Sequence, residues 1–138
     1  MQTVTVRREC DADVDAVRAA MSDVEPFIRA AGFDSVAVDG DEITVRKEFG
    51  VTDVELRLER FDDPDTDLAY RQRAGMFEEM VTTYTIFDRE DGSEIIAETE
   101  FSLDVAVVGE LLDATFIKFQ RRRELNAQFD WIEDRVAH

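Results

Sequence analysis

The hydrophobic positions of the chain change period three times. From residue 2 to residue 9 apolar and polar side chains alternate, with Val4 and Val6 set against Thr3, Thr5 and Arg7, which is the pattern of a strand. From Asp11 the period lengthens. Asp11 or Asp13 is placed to cap a short helix that turns Val14, Val17 and Met21 inward, and Asp23 to cap a second that carries Phe27 and Ile28. Pro26 fits that second helix only in its first turn, where its missing N–H has no partner anyway, and Gly32 ends the pair as a left-handed cap.

From Ser35 to Leu103 the period is two again. Val36 to Val38, Asp39-Gly40-Asp41 and then Ile43, Val45, Lys47 and Phe49 form a hairpin pattern. Gly50 to Thr52 turns into Val54, Leu56 and Leu58, Asp63-Pro64-Asp65 into Leu68 and Tyr70, and Asp91-Gly92 into Ile95 through Leu103, with Tyr84 and Ile86 on the strand between. Charges share this period, as in Arg46 and Glu48, or Glu55, Arg57 and Glu59. The sheet therefore has one wet face laced by cross-strand pairs and one buried face.

The last change comes at Val105, after which good helix formers run to the C-terminus and predict one helix of about 30 residues, about 45 Å long. Its apolar stripe is split. Val108, Leu111, Leu112, Phe116 and Phe119 lie on one face, whereas Leu125, Phe129, Ile132 and Val136 lie roughly a quarter turn away. Such a helix touches different surfaces with its two halves, so the remainder of the chain is expected to form a groove around it. The predicted class is α+β: a curved antiparallel sheet of six or seven strands wrapped around a long C-terminal helix, with two short helices after the first strand. With 138 residues the chain is expected to be a single domain, 1–138.

That order of elements resembles the helix-grip fold of the START, pollen-allergen and polyketide-cyclase superfamily, often called SRPBCC. The run Gly75-Met76-Phe77-Glu78-Glu79-Met80, the segment from Ala97 to Leu103, and Val107 to Leu112 are similar to members from halophilic archaea. The resemblance implies a cavity between sheet and helix that in relatives holds lipids, sterols, quinones, plant hormones or polyketides. It does not extend to the glycine-rich phosphate loop of some plant members, since the hairpin at Asp39-Gly40-Asp41 carries acids and a single glycine.

Charge sharpens the picture. The formal net charge is −17, and only Lys47 and Lys118 are lysines. Acids spread along the whole chain, with lysine nearly absent, fit a surface adapted to high salt, where screening removes the self-repulsion. Such a field argues against nucleic acid and against anionic membrane surfaces as partners. The one basic run, Arg121 to Arg123, reads as a solvated helix face paired with nearby acids. No apolar run is long enough to span a bilayer and no leader is visible, so a cytoplasmic location without stable membrane insertion is expected. A lone cysteine, Cys10, forms no intrachain disulfide and reads as a small core residue.

Catalytic and metal constellations are not visible. The single histidine is His138, the last residue, so no internal histidine is available for a triad or a metal site, and no catalytic residue, metal or cofactor is assigned. Polar residues in phase with inward apolar ones carry more information: Lys47 with Ile43, Val45 and Phe49, Gln72 with Leu68 and Tyr70, and Tyr84 with Ile86. The leading reading is a module for an apolar small-molecule ligand. Phe49, Tyr70, Phe101, Leu112, Phe116 and Phe119 would line its cavity, with Lys47, Gln72 or Tyr84 orienting a polar end and Met76, Phe77 and Met80 forming an adaptable mouth. Two alternatives stand beside it: an enzyme of the cyclase or hydrolase type working in the same cavity, and an interaction protein whose ten phenylalanines fill the groove. An empty cavity of several hundred cubic ångströms would disfavour the filled core, and a buried carboxylate facing it would favour the enzyme. The oligomeric state is not legible.

Overall fold

The computed structural model describes residues 1–49, 51–103 and 113–137, and of Phe49 the backbone alone. Strand β1 (Gln2–Cys10) leads into helices α1 (Val14–Ser22) and α2 (Val24–Arg29). Six strands follow: β2 (Ser35–Asp39), β3 (Glu42–Phe49), β4 (Thr52–Arg60), β5 (Leu68–Ala74), β6 (Phe77–Arg89) and β7 (Gly92–Leu103). Helix α3 (Ala114–Val136) comes last. The seven strands form one curved sheet in the order β1-β7-β6-β5-β4-β3-β2, with every neighbouring pair antiparallel.

Local chemistry sets the boundaries. Asp13 caps α1 by accepting from the Ala16 N–H at 2.8 Å. Pro26 sits in the first turn of α2, where no intrahelical bond is lost. Gly40, at φ +61°, is the first of two residues linking β2 to β3, the position at which a type II′ turn needs a glycine. At the far end of the chain Asp113 accepts from the Phe116 N–H at 2.8 Å and has an extended backbone, φ −80° and ψ 169°. A helix cannot run through that geometry. The expected single helix from Val105 is therefore corrected to a 23-residue α3, roughly 35 Å long. Residues 104–112, with three of the five members of the expected first stripe, lie outside the described residues.

The inner face of the sheet, with Val4, Ile43, Leu58, Tyr84, Ile95 and Phe101, packs against Val17, Met21, Phe27 and Ile28 of α1 and α2 and against Leu125, Phe129 and Ile132 of α3. Cys10 is part of this core. The outer face carries cross-strand ion pairs, Arg57 with Glu42 at 2.9 Å, Arg71 with Glu59 at 3.0 Å, and Arg46 with Asp53. These pairs are exposed and serve register more than stability. Half-buried Arg8 ties β1 to α3, donating to Asp130 at 2.9 Å, Glu133 at 2.6 Å and the Asn126 side-chain oxygen at 3.1 Å.

Candidate ligand-binding cleft

Between the inner face of the sheet and roughly the first three turns of α3 the packing is open. Val45, Leu56 and Leu58 form the sheet side of the cleft, Met76 and Met80 stand where β5 meets β6, and Phe101 and Ile117 close the back. The walls are overwhelmingly apolar. The cavity volume is ≈ 50 Å³. The cleft is thus a narrow slot rather than a chamber of several hundred cubic ångströms.

Its inner end is polar and buried. Arg121 is 9% exposed and Glu124 is 7% exposed, although neither type is ordinarily buried without a partner. Arg121 donates from Nη1 to Glu124 Oε1 at 2.9 Å, from Nε to Thr99 Oγ1 at 3.0 Å, and from Nη2 to Thr82 Oγ1 at 3.2 Å and to the Tyr70 hydroxyl. Burial works against the guanidinium's charge. Tyr70, Tyr84 and Glu124 more than offset it, and the Arg121 pKa lies above its ordinary value. Behind this pair the hydroxyl of Tyr70 meets that of Tyr84, which does not line the cleft, at 3.2 Å. Tyr84 donates to Gln128 Oε1 at 2.6 Å, and Gln128 Nε2 donates to the Phe27 carbonyl at 3.1 Å. Burial pushes the Tyr84 phenol well above its usual pKa, with Tyr70 adding to the shift.

Of the nine residues expected at a cavity, Lys47, Tyr70, Phe101 and Phe116 line the cleft. Lys47 sits at the rim, its ammonium donating to the Gly32 carbonyl at 2.8 Å. Gln72 does not line it; its side-chain amide brackets the β5–β6 turn, accepting from Phe77 N–H at 3.1 Å and donating to Phe77 C=O at 2.8 Å. Tyr84 is fully buried behind Tyr70. Phe119 is 60% exposed, since it lies about 200° around the helix from Ile117, with the Arg123 guanidinium over its ring. The side chain of Phe49 and the whole of Leu112 lie outside the described residues.

The expectation that Arg121 to Arg123 is a solvated face holds for Arg122 and Arg123 but is overturned at Arg121. Arg121, Glu124 and Gln128 share the buried face of α3 with Ile117, Leu125 and Ile132. Their helical phase was the available signal, because three polar residues fall where the apolar stripe would continue. Among the described residues no cluster of histidine, cysteine or carboxylates is placed to hold a metal ion, and no helix is long and apolar enough to cross a membrane.

No family model and no curated relative matches the sequence. Solved structures do match over nearly the whole chain. The Zhui aromatase/cyclase from Streptomyces sp. R1128 superposes with a TM-score of 0.76 at 17% identity, covering 98% of this chain and 95% of that one. The fold is the helix-grip fold. A START superfamily protein from Mycobacterium smegmatis shares it, with a TM-score of 0.72 at 12% identity over 98% of this chain and 97% of that one. So does the norcoclaurine synthase of Thalictrum flavum, solved in complex with dopamine and hydroxybenzaldehyde, with a TM-score of 0.71 at 15% identity over 99% and 86% of the two chains. In the helix-grip arrangement the terminal helix lies against the concave face of the sheet, which is where this chain has its slot.

Proposed function

We propose that this chain is a single SRPBCC-type domain that binds an apolar or amphipathic small molecule, such as a lipid, quinone or polyketide-like compound, in the cleft between the sheet and α3. The observation that carries this reading is the buried Arg121–Glu124 pair at the end of an apolar slot. Apolar residues of similar volume stabilise a core as well as or better than a buried ion pair does, so packing alone gives no reason for one there. A ligand's polar end gives that reason. Entry requires the slot to widen, and Met76, Met80 and Phe116 are the side chains whose rotation widens it, two of them flexible thioethers. The formal net charge of −17, with lysine at only two positions, supports a setting in a high-salt cytoplasm.

The test is titration with the neutral fluorophore N-phenyl-1-naphthylamine, followed by displacement with long-chain alcohols and quinones. Saturable, displaceable binding is expected. Phe116→Trp, at the mouth, should weaken it with little change in stability, because Phe116 is already 38% exposed. Absence of displaceable binding, together with native mass spectra of protein from its source that carry no added small mass, would remove the reading and leave a filled core that acts through its surface.

A second reading is favoured by one feature. Glu124 is a buried carboxylate on the cleft wall that shares the Arg121 guanidinium with the Tyr70 hydroxyl, and structural neighbours include an aromatase/cyclase and a synthase. Under that reading Glu124→Gln keeps the ligand bound but stops its conversion.

A further inference from the structure

We infer that Tyr84 and Gln128, neither of which reaches the cleft, determine which polar end group the cleft accepts, by fixing the direction of the hydrogen bond that Tyr70 makes. The inference rests on the ligand-binding reading above and adds the selectivity of that site. It begins at a group with no choice. The Phe27 carbonyl can only accept, and Gln128 Nε2 donates to it at 3.1 Å. That contact orients the amide and turns Oε1 toward Tyr84, whose hydroxyl donates at 2.6 Å. A hydroxyl has one proton. Tyr84 therefore meets Tyr70 at 3.2 Å as an acceptor, and the Tyr70 proton is used there. What Tyr70 turns toward Arg121 Nη2 is a lone pair.

The same accounting gives the chemistry of the inner end. Four of the five Arg121 N–H groups are taken by Thr99, Thr82, Tyr70 and Glu124, which leaves one on Nη1 among the described hydrogen bonds. Glu124 accepts from Arg121 on Oε1 and only weakly, at 3.4 Å, from Gln120 on Oε2. The cleft thus ends in one guanidinium donor and one carboxylate acceptor of nearly cancelling charge, with no phenolic proton. A neutral hydroxyl satisfies both at once. A carbonyl satisfies only the donor, and a carboxylate meets the charge of Glu124.

Removing the Tyr84 hydroxyl breaks the chain upstream and frees the Tyr70 proton, which adds a donor to the cleft without altering its wall. The experiment compares 2-naphthol with 2-naphthaldehyde by calorimetric titration in the natural sequence, Tyr84→Phe, Gln128→Met and Tyr70→Phe. The natural sequence should prefer the naphthol. Tyr84→Phe should shift the ratio of dissociation constants toward the aldehyde by about three- to tenfold, the worth of one neutral hydrogen bond. Gln128→Met, which frees Tyr84 to donate to Tyr70, should shift it the same way and covers the case in which Tyr84→Phe folds poorly. Tyr70→Phe frees an Arg121 Nη2 N–H in place of the phenolic proton, so it too should shift the ratio toward the aldehyde, and adding Tyr84→Phe to it should shift the ratio no further. An unchanged ratio in both upstream variants, with both probes still binding, would overturn the inference. A second readout separates this from failure of the cleft reading itself. The chain has only two tyrosines, so two slowly exchanging hydroxyl proton resonances are expected in the natural sequence, and the Tyr70 resonance should broaden in Tyr84→Phe. Probes that bind no form overturn the cleft reading and its selectivity together. A persistent, sharp Tyr70 hydroxyl signal in Tyr84→Phe overturns the assigned direction alone.

Discussion

Arg121→Met tests the buried pair most directly. The substitution keeps an unbranched stem of similar reach and deletes the guanidinium, so Thr99, Thr82 and Tyr70 each lose a donor and Glu124 keeps only the 3.4 Å contact from Gln120. Both side chains are about nine-tenths buried, which leaves little solvent screening to discount. Breaking such a pair costs about 3–5 kcal/mol, most of it the penalty for a charge left without a partner. For a chain of this length that corresponds to a fall in Tm on the order of 10–20 °C. The decisive comparison is the double variant Arg121→Met with Glu124→Leu. With the orphan charge gone, stability should return to within about 1 kcal/mol of the natural sequence, or exceed it. Urea and thermal unfolding followed by circular dichroism at neutral pH and constant high salt measure all four corners of the cycle. A single substitution costing less than about 1 kcal/mol, or a double as damaging as the single, would mean that Arg121 and Glu124 are not coupled as the geometry requires.

Two further outcomes follow from charge. Stability should rise from low to molar KCl, because 33 acids against 16 bases repel one another when unscreened; a Tm that stays flat or falls across that range contradicts the proposed high-salt setting. The Tyr84 phenol has its pKa raised by burial, so above about pH 10 the unfolded chain releases that proton while the folded one keeps it, and stability should fall with rising pH by up to about 1.4 kcal/mol per unit. Tyr84→Phe should flatten that alkaline slope, and an unchanged slope would show that Tyr84 does not govern it.

The sheet could be read almost entirely from the sequence, because a period of two with turn residues at Gly40, Pro64 and Gly92 leaves few ways to pair consecutive strands. The cap of α1 was narrowed for the same local reason to Asp11 or Asp13, of which Asp13 is the one that accepts from the Ala16 N–H. The start of α3 was not, since Val105 to Leu112 has the composition of a helix and Asp113 announces its cap only through its backbone angles. The inner end of the cleft was harder still. Arg121 stands in a run of three arginines, and composition alone cannot tell the one that faces Thr99 and Tyr70 from the two that face water. Gln72 and Tyr84 were in phase with inward residues, but phase does not reveal that a turn carbonyl or a neighbouring phenol has already claimed the polar atoms.

The pairing of β1 with β7 has a consequence for the order of events during synthesis. Gln2 lies opposite Phe101 and Cys10 opposite Ser93, so β1 waits for β7, about 90 residues later, before that edge is covered. At cellular translation rates that interval is on the order of 5–20 s, during which β1 offers an unpaired backbone and α3 does not yet exist. Contacts this distant along the chain also make the final closure slow compared with hairpin formation. Until β7 arrives, that open edge is a template on which a second unfinished copy can pair, so closure of β1 on β7 competes with association of partial chains.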